Sequence, residues 1–157
     1  LIEALIPLLA KQGFRTAVIK HHGHGFEDKI PDKPGTDTYR FLAAGACGTV
    51  IYDDATMMCV KRGAMTAERL VPLFNDADIV FLEGAKDEPV PRIEMLRVGH
   101  PVSSDPATLL CAVVEAGMET PPLPNGVPIF PFGEFAAVAR LLAERFGDRA
   151  HSENRQS

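Results

Sequence analysis

Apolar side chains recur along this chain at helical, alternating and continuous spacings, and each spacing predicts a different element. Leu1, Leu5, Leu8 and Leu9, with Ile2 and Ile6 beside them, repeat at helical intervals up to Lys11-Gln12-Gly13, where Gly13 suits a helix C-cap. Pro7 fits such a helix if its first turn starts near Ile2. Residues 16–20 (TAVIK) read as a strand, followed by HHGHGFEDKIPDKPG, too rich in Gly, Pro and Asp for regular structure. Thr36-Asp37 reads as a helix start, with a body through Ala44 and Gly45 near its end. Residues 49–52 and 57–61 predict an antiparallel strand pair across an Asp53-Asp54 turn. Thr66 is placed to cap a helix running to Phe74, with Leu70, Val71 and Phe74 as its apolar face.

The run Ile79-Val80-Phe81-Leu82 is continuous and rich in β-branched and aromatic residues, as in a strand buried on both faces of a parallel sheet. Residues 92–97 and 111–115 read as further strands, although the ATLLCAVVEAG run also admits a helix. Pro121, Pro122, Pro124 and Pro128 make a stiff connector before a final helix at 135–146, which carries Val138, Leu141, Leu142 and Phe146 on one stripe. Strands alternating with helices of this size predict an α/β domain, a mainly parallel sheet with helices on both faces, over residues 1–147. Residues 148–157 are polar and are assigned to a disordered tail.

Composition changes this picture little. The chain of 157 residues is 46% apolar and 24% charged, which suits one ordinary domain. A net charge of −5 and the lack of a Lys/Arg cluster argue against a nucleic-acid partner. Cys47, Cys59 and Cys111 are odd in number and widely spaced, which points to reduced thiols in a cytoplasmic protein rather than disulfides or structural zinc. The opening LIEALIPLLA is interrupted by Glu3 and lacks the flanks of a signal peptide, and no run reaches membrane-spanning length. Because the chain opens on Leu1 inside an amphipathic pattern, it reads as a piece of something longer.

Two loops carry the candidate chemistry. The strand 79–82 stops at Glu83-Gly84, a carboxylate and a turn-permitting glycine at the strand end where open α/β sheets bind ligands. Glu83 there calls for a magnesium ion or a basic partner; the plain alternative is a solvated turn. Lys86 can hold a carboxylate or phosphate, whereas Asp87 and Glu88 read as surface charges beside Pro89 and Pro91. In the loop after TAVIK, Lys20 and Lys33 can neutralise phosphate, Gly35 offers backbone N–H to an anion, and Asp37 can reach a metal or its water. The competing reading is a basic solvated loop with an N-cap. His21, His22 and His24 admit a zinc or nickel site and hence a metal chaperone, but with too few ligands and poor spacing. Phe130, Phe132 and Phe135 read as core in preference to a base-stacking platform. Ser103 and Ser104 lie in no G-x-S-x-G setting, and none of the 13 glycines precedes a lysine, so no G-x-x-x-x-G-K-[ST] phosphate loop occurs within the sequence.

AVIKHHGHGFEDKIPDKPGTDTYRFLAAGA and DIVFLEGAKDEPVPRIEMLR resemble the two signature segments of the molybdopterin-guanine dinucleotide biosynthesis protein B (MobB) family, and LIEALIPLLAKQGFR resembles the family's first helix. The resemblance extends to about Phe146. It implies a three-layer, P-loop NTPase-like α/β fold and a GTP-binding accessory protein of molybdenum cofactor biosynthesis with weak GTPase activity. Such proteins dimerise and act beside the guanylyltransferase that attaches GMP to molybdopterin. Carried over, Lys20, His21, His24, Asp32, Lys33, Pro34, Gly35 and Asp37 match the first signature, and Glu83, Gly84, Lys86, Asp87 and Glu88 the second. Magnesium and GTP, with molybdopterin as bound substrate or intermediate, are the implied ligands, and Glu83 with Asp37 would serve the metal and the hydrolysis. In the family a strand and a glycine-rich phosphate loop precede the first helix; neither occurs here, and most of the grip on a triphosphate lies in such a loop. A non-enzymatic adaptor that binds the guanylyltransferase or molybdopterin is therefore the competing expectation.

Overall fold

The helical spacing of Leu5 and Leu9 places both on one face of α1 (Ile2–Ala10), and both are fully buried in a computed structural model that describes residues 1–23, 32–100, 105–119, 122–124 and 126–153. Pro7 lies in the second turn of α1, not the first, where it cannot donate to the Glu3 carbonyl, and Gly13 ends the segment at φ +87°. After α1 the chain runs through β1 (Thr16–Lys20), α2 (Asp37–Ala43), β2 (Gly48–Tyr52) and β3 (Met57–Lys61). The predicted helix to Phe74 is instead a short α3 (Ala67–Leu70) followed by a 3-10 turn (Val71–Phe74), with no residue buried in either. Pro72 explains the change, because it has no N–H to donate to the carbonyl four residues back. Thr66 makes no side-chain cap; Glu88 Oε1 accepts from the Ala67 N–H at 3.4 Å and takes that place.

β4 (Ile79–Glu83), β5 (Arg92–Leu96) and β6 (Leu109–Val114) follow, then a short β7 (Ile129–Pro131) and α4 (Phe135–Glu153). β7 is a strand the proline-rich sequence hides. α4 runs on past Phe146 through residues 148–153, part of the stretch assigned from sequence to a disordered tail; residues 154–157 lie outside the described ones. The parallel strands form two hydrogen-bonded groups, β1–β4 and β5–β6–β7, while β2 and β3 form a separate antiparallel hairpin.

One core joins both parallel groups. Ile79 of β4 and Cys111 and Val113 of β6 meet Leu5 and Leu9 of α1 and Val138, Ala139 and Leu142 of α4. Each such aliphatic side chain contributes about 1.5–3 kcal/mol through burial. The other face of β6 presents Ala112 and Val114 to Leu96, with Met118 and Leu123 packed against them. Burial on both faces accounts for the unbroken apolar run of β6, and the helical reading of that run is set aside. Phe130 and Phe135 pack on the core as expected; Phe132 meets Phe135 edge to face at 5.2 Å but stays half exposed. Among the described residues, no helix is long and apolar enough to cross a membrane.

Candidate functional site

Parallel pairing sets the site. β1 and β4 run side by side in the register Thr16↔Ile79 to Lys20↔Glu83, so both strands end at one rim. At their opposite ends, the Arg15 carbonyl accepts from the N–H groups of Asp78 (2.8 Å) and Ile79 (3.2 Å), and the Arg15 N–H donates to Asp78 Oδ2 at 2.6 Å. The Arg15 guanidinium also pairs with Asp76.

At the rim, Lys20 Nζ lies 3.3 Å from Glu83 Oε1, so the basic partner that Glu83 calls for is Lys20. Both side chains are about half exposed or more, and the contact remains accessible to a ligand. The His21 N–H donates to the Glu83 carbonyl at 2.8 Å and extends the pairing one step beyond the strands. Gly84 is required twice over. Its φ of +78° disfavours any side chain, and a Cβ there would stand 2.9 Å from the His21 carbonyl oxygen.

The loop beyond Gly84 is ordered by a residue that sequence reasoning missed. Nη2 of Arg92, at the start of β5, donates to the carbonyl oxygens of Ala85 (3.3 Å), Lys86 and Glu88 (2.7 Å). Nothing in the linear pattern marks this, because an arginine opening a strand carries no signal for three carbonyls up to seven residues earlier. Glu88, read as a surface charge, is held between Arg92 through its carbonyl and α3 through its carboxylate. Lys86, Asp87 and Glu88 border a polar cleft completed by Pro89, Arg92, Asp105 and Thr108.

The second loop is built around Asp32. Its carboxylate accepts from the Thr38 hydroxyl at 2.5 Å, the Lys33 N–H at 2.6 Å and the Thr36 hydroxyl at 3.2 Å. The Thr38 hydroxyl is the main cause holding the Asp32 carboxyl below its ordinary value, helped by Lys33 and Thr36 against some desolvation. Thr36 accepts from the Tyr39 N–H at 3.2 Å and caps α2 as expected. Asp32 therefore shapes the entry to α2. Gly35 adopts φ +94° with open space around it, so backbone conformation rather than a close neighbour favours glycine there. Asp37 opens α2 and pairs with Arg40.

The structure thus brings Lys20, His21, Glu83 and Gly84 together, and Asp32, Lys33, Gly35 and Asp37 into a second group. Glu83 pairs with Lys20 and Asp37 with Arg40, and His24 lies outside the described residues. Among the described residues, no three His, Cys, Asp or Glu side chains gather as a metal-ligand cluster.

Residues 1–116 match the family model described as Molybdopterin guanine dinucleotide synthesis protein B. The chain belongs to the MobB family. A relative from Bacillus subtilis (strain 168), named as a probable molybdopterin-guanine dinucleotide biosynthesis adapter protein, is 28% identical over 151 residues, covering 95% of this chain and 87% of its own. An adapter protein of the same name from Haemophilus influenzae is 33% identical over 107 residues, covering 62% of this chain and 55% of its own. The crystal structure of Bacillus subtilis MobB superposes with a TM-score of 0.68 at 24% identity, over 90% of this chain and 86% of that one. A second MobB crystal structure gives a TM-score of 0.62 at 18% identity, over 91% and 88%. At these identities the two structures establish a shared fold, and the α/β architecture expected from sequence is the MobB one.

Proposed function

We propose that this MobB-family chain serves molybdopterin guanine dinucleotide formation as an adapter whose rim, Lys20 and Glu83, receives a magnesium-bound phosphorylated ligand, GTP in the first instance. The observation that carries this reading is the accessible Lys20–Glu83 contact at the carboxyl end of two parallel strands. The donor set suits such a ligand, since Lys20 is a point charge that can turn to phosphate and thereby leave the Glu83 carboxylate to magnesium or its water. Magnesium usually keeps several waters and takes only one or two carboxylates, so it needs no three-residue cluster. Bound there, it would supply charge neutralisation for the phosphates. Lys33 and Lys86 add positive charge on the flanking loops, and Asp37 is the second carboxylate offered for the metal and a slow GTPase step. The molybdopterin intermediate, a guanylyltransferase partner, a homodimeric state and a cytoplasmic setting complete the proposal. Family membership and the adapter names of the relatives support this part of the reading.

The test is calorimetric GTP binding by this chain, with and without magnesium. We expect magnesium-dependent binding, weakened by Glu83→Gln and by Lys20→Ala. Equal affinity in parent and both variants would remove the rim from the account. A non-hydrolysing adaptor is the second reading. It is favoured by the Lys20–Glu83 pairing, which satisfies both charges without a ligand, and predicts guanylyltransferase binding that survives Glu83→Gln.

A further inference from the structure

The polar cleft beyond Gly84 is built around one residue. Nη2 of Arg92 holds the carbonyl oxygens of Ala85, Lys86 and Glu88 and so fixes the backbone of one wall. The backbone N–H of Arg92 donates to the Thr108 carbonyl at 2.8 Å and ties on the other wall. That second wall is closed on itself, because Asp105 Oδ1 accepts from the Ala107 N–H at 2.9 Å and the Asp105 carbonyl accepts from the Thr108 hydroxyl at 2.9 Å. Between the walls lies a volume of about 240 Å³. Sites that enclose a whole drug-sized ligand run to roughly 300–1,000 Å³, so this cleft suits a single ring system. Two exposed side chains on its border are uncommitted. Among the described residues, neither the Lys86 ammonium nor the Asp87 carboxylate forms a hydrogen bond or an ion pair.

This donor set narrows the ligand. A phosphate here would face Asp87 and Asp105, and a metal ion would face Lys86 and Arg92, so a small ion of either sign meets like charge. A neutral ring with two adjacent N–H donors beside a carbonyl oxygen satisfies both uncommitted groups. A carboxylate accepts the two N–H groups side by side, and an ammonium donates to the oxygen. The 2-amino-4-oxopyrimidine edge has that order, and guanine and pterins share it. We propose that Asp87 and Lys86 read this edge in the cleft that Arg92 shapes, Asp87 taking the ring N–H and the amino group and Lys86 the oxo group. The inference rests on the ligand class proposed above and adds the surface that selects it.

Guanosine, 6-hydroxymethylpterin and adenosine, titrated separately into the isotope-labelled chain and followed by amide NMR shifts, test it. Guanosine or the pterin should move the signals of residues 86–88, 105 and 108, and adenosine, which lacks the edge, should not. The tighter of the two identifies which ring the cleft serves. Asp87→Asn keeps the shape but puts an N–H donor in place of one carboxylate oxygen. It should weaken guanosine roughly tenfold or more and gain xanthosine, whose 2-oxo group accepts that N–H. A merely structural role for Asp87 would not exchange one preference for the other, and thermal melting equal to the parent's would show that the variant folds. Equal shifts from guanosine and adenosine, no shift from either ring, or guanosine binding unchanged in Asp87→Asn overturns the cleft. These probes carry no phosphate, so the rim is read separately. Magnesium–GTP binding with guanosine and the pterin inert removes the cleft and leaves the rim; guanosine binding that gains nothing from phosphates and magnesium leaves the cleft and removes the rim.

Discussion

Strands β6 and β3 look alike as strings, LLCAVV and MMCVK, each with a cysteine among apolar neighbours, yet one is buried and the other open. In β6, residues 111–114 are all buried, with α1 and α4 over one face and Leu96, Met118 and Leu123 over the other. In β3 only Val60 is partly covered. The difference shows that apolar patterning records that a surface must be covered, not by what. Helices α1 and α4 cover β6; α2 touches β2, yet Val50, Ile51, Tyr52, Met57 and Met58 of the hairpin stay exposed.

The largest effect that sharpens this contrast is on stability. Leu142→Ala, in the shared core, should cost about 2–5 kcal/mol in urea unfolding, whereas Ile51→Ser on the hairpin should stay within about 0.5 kcal/mol for the isolated protomer. A large loss from Ile51→Ser in dilute monomer would show that the hairpin serves the fold itself. Thiol labelling separates the same strands chemically. Burial pushes the Cys111 thiol up to about 11 and shields it from reagent, while Cys59 is exposed, so Cys59 should alkylate much faster near neutral pH. The sign of the associated pH effect follows. The folded chain holds the Cys111 proton more tightly than the unfolded chain, so the stability linked to it is intact below pH 9 and declines as pH rises toward 11.

Smaller effects distinguish the rim from its supports. Arg92→Ala leaves three loop carbonyls without their donor and should cost about 1.5 kcal/mol or more, with faster amide exchange confined to residues 85–88. Thr36→Ala should cost about 1 kcal/mol by removing the cap of α2. The same turn should weaken in acid, because the contribution of Asp32 is present above pH 3.8 and lost as pH falls through its lower folded value. Lys20→Gln breaks only an exposed ion pair and should change stability by less than about 1 kcal/mol, although the proposal has it weakening magnesium–GTP binding far more. A loss of fold in Lys20→Gln would make the pair a structural contact.

Much of this arrangement was legible in the chain. β1, β3 and β4 lie where their runs of apolar residues place them, and the rim follows because those runs stop at Lys20 and Glu83. Thr36 as a cap was equally plain, since capping is decided within three residues. The misses share a physical cause: they depend on partners distant in sequence or on a single competing proline. Glu88 reaches the start of α3 across 21 positions, and Arg92 reaches back over a turn whose path no local pattern specifies. Pro72 divides a helix whose spacing otherwise looked continuous, and β7 ends on Pro131 at the edge of its group, where a missing N–H is tolerated. Asp32 and Asp37 were read for the ligand, yet the carboxylate of the first is engaged by its own turn and that of the second by Arg40.

The two ends of the β1–β4 ribbon are fastened differently. Main-chain bonds between Arg15 and Asp78 clamp one end, while at the other the side chains of Lys20 and Glu83 meet in reach of water. An incoming anion can draw the lysine aside by rotation about single bonds, and the five paired rungs behind it need not shift. The mouth can therefore open and close like a latch on a rigid frame, at the speed of side-chain motion and with no unzipping of the strands.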